Sequence, residues 1–392
     1  MRKKIKLLSL FAGAGGLDLG FLGGFTFRNH QFDNNWYRVV FANDNDPAAE
    51  LVYNSNKSYF YHKMVRKNVE DIPNSDIPDF DVMLAGFPCQ PFSSAGNRKG
   101  VHDDRGTLFE ECVRIIEEGN HKGRQVRAFV FENVRGISST YMPNGLSVPE
   151  EIKRRMKKLG FNTVYKLLKT SDYGAPTNRY RLIMVGLREE LGEFDFSSMD
   201  QVVKEFDIPS AKVDSRELLL GSILSDIPEK SAQFNDVWNY SPSGQTMVEN
   251  IGPCEIGKEG LEFFRNGLTL SQMPAEITKG RSWKNLHRDQ MTPRFLKIWD
   301  NPKKYRAPNF YRRFALGEIN GTITASAQPE NCGITHPFED RRFSVRECAR
   351  IQSFPDEFEF PNTTLPHAYK VIGNAVPPVF GWVLARALYK FI

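Results

Sequence analysis

Hydrophobic residues in this chain fall into short apolar runs, divided by glycine and proline turns and by stretches of helical spacing. The runs at 5–11, 38–42, 64–69, 81–85, 128–131, 163–168 and 181–185 read as buried strands. Between them, 17–21 begins a helix and 48–53 continues one that Asp46 caps and Pro47 opens. Leu108, Cys112, Ile115 and Ile116 give 107–118 one apolar helical face, and 149–159 is a basic amphipathic helix. Strand, turn and helix alternate in this way over the first 190 residues, which predicts an α/β fold with a doubly wound, mostly parallel sheet. From about 191 to 313 the rhythm is lost, and glycine, proline and polar residues interrupt every pattern. Clear elements return at 322–324 and at the helix 344–352. The apolar helix 377–392 is expected to pack back on the first domain. Two domains follow: a larger one of 1–190 plus 367–392, and a smaller, irregular one of 191–366.

Composition narrows the picture only a little. At 392 residues the chain can bury a large core, and 40% hydrophobic with 25% charged residues is ordinary for a globular protein. The excess of 52 basic over 47 acidic side chains, +5, permits a nucleic-acid partner without demanding one. Five cysteines without a Cys-x-x-Cys pair suggest neither a disulfide framework nor a zinc site, and fit a reducing compartment. The apolar stretch after Met1-Arg2-Lys3-Lys4 runs straight into a glycine turn, so it reads as a strand and not as a leader. No apolar run approaches the ~20 residues of a membrane span.

The candidate chemistry sits where the predicted strands end. Gly86-Phe87-Pro88-Cys89-Gln90-Pro91-Phe92-Ser93 follows the run 81–85, and its prolines fix the backbone on both sides of Cys89. A thiol on a rigid turn at a strand end suits a nucleophile, although this octapeptide alone fits a small buried hydrophobe equally well. Phe11-Ala12-Gly13-Ala14-Gly15-Gly16 lets backbone amides approach a ligand closely. Asp18 stands where a dinucleotide fingerprint needs a third glycine; it would repel a pyrophosphate and could pair with a cationic ligand. Asp44, ending the second strand, is placed for ribose hydroxyls. These features favour a phosphate-free adenosine cofactor such as S-adenosylmethionine over NAD, against the plainer reading of a structural glycine turn. Glu132 ends the fifth strand, where a carboxyl behind apolar residues tends to a raised pKa; a surface carboxylate is the alternative. Arg179 and Arg181 alternate before a buried strand and would face one side, as an anion-binding pair or as a solvated edge. Residues 278–313 interleave Lys279, Arg281, Lys284, Arg288, Arg294, Lys297, Lys303, Lys304, Arg306, Arg312 and Arg313 with six aromatic side chains. With only Asp289 and Asp300 to compensate, the stretch reads as a nucleic-acid surface.

The order of these segments resembles the DNA (cytosine-5) methyltransferase family of bacterial restriction-modification systems. The turn at 11–16 is similar to its cofactor turn and 86–93 to its catalytic loop. Asp104-Arg105-Gly106-Thr107-Leu108-Phe109, Glu132-Asn133-Val134 and Arg179-Tyr180-Arg181 follow in the family's order, then 341–355 and Gly373-Asn374-Ala375-Val376-Pro377. The matches omit about 190–310, the family's variable target-recognition region. Thr177 stands where the family often has Gln, and Asn68 where it usually has an acid facing adenine; an amide still hydrogen-bonds adenine.

The resemblance implies a Rossmann-like methyltransferase sheet beside a target-recognition domain, and methyl transfer from S-adenosylmethionine to carbon 5 of a flipped-out cytosine in duplex DNA. It implies Cys89 as the nucleophile at carbon 6, with Glu132, Arg179 and Arg181 assisting. Cofactor contacts carry over to Phe11, Gly13, Gly15, Gly16, Asp44, Asn68, Val69, Gly86, Pro88, Leu108, Asn374, Ala375 and Val376. DNA contacts are expected at Gln90, Ser93, Arg98, Lys99, Arg281, Lys284 and Arg312. No metal is implied. The expected setting is a monomer in the bacterial cytoplasm, acting on DNA alongside a restriction endonuclease with the same target. Two other readings share the fold: a tRNA cytosine-5 methyltransferase, opposed by the long 190–310 region, and a non-catalytic DNA-binding regulator, opposed by intact Cys89 and Glu132.

Overall fold

A computed structural model describes residues 3–88, 108–121, 126–142, 144–213, 215–227, 236–301, 309–361 and 364–392. Cys89, Gln90, Ser93, Arg98 and Lys99 therefore lie outside the described residues. The chain forms two compact units, one of Met1–Tyr173, Tyr180–Ile208 and Ala375–Ile392, the other of Gly174–Arg179 and Pro209–Asn374.

The first unit begins β1 Ile5–Leu10, α1 Gly16–Leu22, β2 Phe25–Phe27, β3 His30–Phe32, β4 Tyr37–Asp44, α2 Pro47–Ser55 and β5 Val65–Arg66. It continues β6 Val82–Ala85, α3 Leu108–His121, β7 Ala128–Val134, α4 Val148–Lys158 and β8 Phe161–Lys169. After β9 Thr177–Asn178, which belongs to the second unit, β10 Tyr180–Arg188 and α5 Ser197–Glu205 return to the first. Its sheet has the order β5-β4-β1-β6-β7-β10-β8, parallel except for β10, which runs antiparallel to both neighbours. Strand order turns at β1: the chain builds outward through β4 and β5, then resumes on the other side with β6. Such a switch point opens a crevice at the carboxyl ends of the two central strands. Leu10 lies level with Asn43 on β4 and Ala85 on β6, so the residues after these strands emerge together.

The elements follow from the apolar runs. All four residues of β6 are buried, and α3 buries Cys112, Ile115 and Ile116 against the sheet's aromatic core around Phe87, Phe129 and Phe131. Burial of that size drives the assembly. The third strand is shorter than its apolar run, because Val69 turns into a 3-10 turn, Val69–Asp71. The β2–β3 hairpin has no counterpart in the sequence reading; three-residue strands carry too little periodicity to detect.

The second unit contains α6 Leu220–Leu224, α7 Pro242–Ile251, α8 Gly260–Arg265, α9 Pro293–Asp300, β11 Asn320–Gly321, α10 Val345–Ile351 and α11 Leu365–Asn374. The strand expected at 322–324 pairs slightly earlier, Asn320 and Gly321 lying parallel to Thr177 and Asn178. Buried arginines replace much of the missing ladder bonding. Arg346 donates to the carbonyls of Pro355 and Phe358 at 3.1 and 2.8 Å, and Arg342 to those of Ala327 and Trp238 at 2.9 and 2.6 Å. Loop carbonyls buried without such donors would be costly.

The last helix, α12 Pro378–Tyr389, packs on α1 in the first unit. Trp382 meets Phe206 edge-on at 5.0 Å, and so holds α5 there as well. This contact carries the first unit to Ile208, beyond the expected break at 190.

Candidate active site

Three strand ends of the first unit carry the predicted site. After β1, Phe11 adopts a left-handed backbone at φ 56°, unusual for a side chain of its size, and Gly13 follows at φ 57°. The Asp44 carboxylate at the end of β4 accepts from Gly13 N at 2.9 Å and from Asp46 N at 2.9 Å. Burial pushes its carboxyl up from the ordinary value, and those backbone donors oppose the shift. Asp44 thus braces the glycine turn, and a carboxylate has acceptor capacity left for a ligand. Asn68 is exposed beside it, bonded to Asp71 and Asn45, each at 3.1 Å, with Val69 buried next in the chain.

Asp18 does not face a ligand, contrary to expectation. It is 1% exposed and accepts from Ser9 Oγ at 2.6 Å and Tyr53 OH at 2.9 Å, tying β1, α1 and α2 together. Burial raises its carboxyl to about 6.

Glu132, near the end of β7, is ion-paired with Arg181 on β10, Nε to Oε1 at 2.6 Å. The sequence placed this carboxyl behind apolar side chains; the structure gives it a guanidinium neighbour. Arg181 also donates from Nη1 to the carbonyl of Tyr180 at 2.7 Å. A Cβ built on Gly86 would sit 3.5 Å from Glu132 Oε2, an ordinary contact distance, so the segment leading to Cys89 runs directly beside the carboxylate. Asn133 Nδ2 donates to the carbonyl of Phe87 at 2.9 Å and anchors the same segment two residues before Cys89. Pro88 is exposed, and Leu108 opens α3 half-buried.

The four described cysteines are buried, and burial pushes their thiols up, Cys254 to about 11. None of these four suits a thiolate nucleophile.

Arg179 departs from its expected place. It belongs to the second unit, is 1% exposed, and gives Nη1 to the Ile323 carbonyl at 2.9 Å and Nη2 to that of Asn374 at 3.3 Å. Asn374 is exposed at the end of that unit, while Ala375 and Val376 are buried where the chain re-enters the first.

Among the described residues, the aromatic side chains of 278–313 are mostly interior, while Lys279, Lys284, Arg288 and Lys297 are exposed. Trp283, Phe295, Phe310 and Tyr311 form a core with Met247, Val248 and Ile251, and of the described aromatic residues in the stretch only Trp299 stays open, 40% exposed. Arg313 is buried on the carbonyls of His336, Glu339 and Val248 and on the Asp340 carboxylate. Arg312 pairs with Glu318 and lies over the Phe314 ring, Arg281 donates to the Pro253 carbonyl at 3.3 Å, and Arg288 pairs with Asp300 at 2.8 Å. Lys284 and Lys297 remain exposed. Apart from Asp300, the acids paired with these arginines, Glu318 and Asp340, come from outside the stretch, which its local composition did not reveal.

The model of the family described as C-5 cytosine-specific DNA methylase matches residues 5–390. The chain belongs to that family. Among its relatives, the Type II methyltransferase M.FnuDI of Fusobacterium nucleatum is 30% identical over 386 residues, 98% of this chain and 94% of that protein. M.MthTI of Methanothermobacter thermautotrophicus, also named a Type II methyltransferase, is 30% identical, with 98% and 97% covered. The fold is shared with the Entamoeba histolytica methyltransferase EhMeth at TM-score 0.60 and 14% identity, and with S. pombe Dnmt2 methyltransferase at 0.57 and 16%, each over 99% of both chains. The protein is therefore a DNA cytosine-5 methyltransferase on a mixed α/β methyltransferase sheet. In this methylase, Asn133 and Asp18 were both picked out in the sequence but not in the supporting roles they take, and Ser9 and Tyr53, which hold Asp18, were not picked out at all.

Proposed function

We propose that this methylase modifies carbon 5 of a cytosine flipped out of a specific duplex sequence, with Cys89 as nucleophile and Glu132 and Arg181 as its partners. The observation that carries the reading is the Glu132–Arg181 pair, set against Gly86 at the base of the segment bearing Cys89. The first turn fits the family's methyl donor: nothing lies within 4 Å of a Cβ built on Gly13, and Asp44 holds that glycine's amide. Gly13, Asp44, Asn68, Val69 and Gly86 would hold S-adenosylmethionine, which supplies an electrophilic methyl group when bound.

The protein's own part begins with the base. A stacked cytosine hides its face, so it must leave the helix. The Cys89 thiolate adds to carbon 6, which turns carbon 5 into an enamine-like nucleophile. As the adduct forms, the ring nitrogen takes a proton delivered through the Glu132 carboxyl, whose other oxygen accepts from the exocyclic amine, and Arg181 holds the carboxylate left behind. After methylation, loss of the carbon 5 proton and departure of the Cys89 thiolate restore the ring. The names of the relatives support a restriction-modification role, with DNA as partner and a companion endonuclease of the same specificity.

Cys89→Ala protein, incubated with duplex DNA and labelled S-adenosylmethionine, is expected to transfer no methyl group. Transfer at the parental rate would refute the assignment. Bisulfite sequencing of DNA from cells expressing the parent should return one short common sequence around the methylated cytosines.

A further inference from the structure

Arg179 spends both of its terminal nitrogens on main-chain carbonyls, those of Ile323 and Asn374, and is 1% exposed. A guanidinium so enclosed makes a poor base contact and a good clamp. The residues before it are stapled to the same loop. Thr177 and Asn178 pair with Asn320 and Gly321, Thr177 Oγ1 donates to the Gly321 carbonyl at 3.1 Å, and Thr322 Oγ1 to that of Asn178 at 3.1 Å. Immediately after Ile323 the chain presents a polar turn. The hydroxyls of Thr324 and Ser326 meet Asn331 Oδ1 at 3.0 and 3.2 Å, with Ser326 and Asn331 exposed. The turn is rigid: Ala327 takes a left-handed φ of 46° and its carbonyl accepts from buried Arg342 at 2.9 Å. Hydroxyl and amide groups on a braced turn match the hydrogen-bonding atoms of DNA phosphates and base edges.

We propose that Arg179 is a positioning residue for DNA recognition, acting through the turn that follows Ile323, and not a contact to the reacting base. The inference rests on the methyltransferase reading above, and an inactive parent enzyme would count against that reading instead. In steady-state methylation of duplex DNA, Arg179→Ala should raise KM for DNA about tenfold and leave kcat within about twofold. Bisulfite sequencing should show methylation spreading to near-cognate sites. Arg179→Lys, which keeps the charge but replaces the planar two-nitrogen fork by a single ammonium, should fall between parent and Arg179→Ala in both readouts. A fall in kcat with KM unchanged would overturn the proposal, as would unaltered kinetics and site choice. If Arg179→Ala does not fold, Thr322→Val, which removes only the hydroxyl bond to Asn178, should raise KM by about twofold to threefold; an unchanged KM there overturns it equally.

Discussion

Replacing Arg181 by alanine tests whether the Glu132 pair is the electrostatic centre of the first unit. The two side chains are 10% and 11% exposed, with Nε and Oε1 2.6 Å apart, so water screens the pair little. Arg181→Ala leaves the Glu132 charge buried without its guanidinium, which costs about 3 kcal/mol, the lower end for a broken buried pair because the site is not fully dry. Glu132→Gln should cost less, about 1 kcal/mol, since Arg181 keeps its bond to the Tyr180 carbonyl. The double variant removes the stranded charge, and should recover about 2 kcal/mol relative to Arg181→Ala alone. Urea unfolding at neutral pH, followed by tryptophan fluorescence on all four proteins, reads these differences. The reasoning fails if Arg181→Ala costs under about 1 kcal/mol, or if the two single effects simply add in the double variant.

Two further outcomes follow from the same unit. Burial holds Asp18 at about 6 against an ordinary 3.8, so stability is full below the lower value and is lost as pH rises through the higher, by about 3 kcal/mol in all. Asp18→Asn should flatten that slope in urea midpoints measured across the range, and a variant as pH-dependent as the parent would contradict it. Gly20→Ala sets a Cβ 2.6 Å from backbone atoms of Gly381 and Pro378. Prising α1 from α12 should cost about 2 kcal/mol, and an unchanged unfolding midpoint would show that the helices yield.

The first unit was legible because its central strands are buried on both faces and therefore nearly continuous apolar runs. The runs at 81–85 and 128–131 have no other simple reading, and they became β6 and β7 with Glu132 and Asn133 at the exit of the second. The antiparallel sense of β10 was not legible, since buried strands of either direction share one composition. The second unit resisted for a different reason. Its polar and basic residues are interior struts whose partners lie far away in sequence, as Arg350 shows by reaching the Ile223 carbonyl and the carboxylates of Asp226 and Asp356.

Cation and aromatic counts taken along the chain therefore describe two different physical situations. On a solvated face, interleaved arginine and aromatic side chains present charge and stacking surfaces to a nucleic acid. In a domain with little regular structure, the same residues do the work of a sheet: aromatics supply bulk, and planar guanidiniums satisfy several loop carbonyls at once. Arg313 belongs to the second case, with acceptors on Val248, His336, Glu339 and Asp340, while Lys284, 29 positions earlier in the chain and exposed, fits the first. An ammonium is too strongly hydrated to serve as an interior strut, so the interior role falls to arginine, while Arg288, 62% exposed on Asp300, stays at the surface with the lysines. Among the described residues the basic side chains of this stretch thus include two kinds, buried struts such as Arg313 and exposed charges such as Lys284, Lys297 and Arg288.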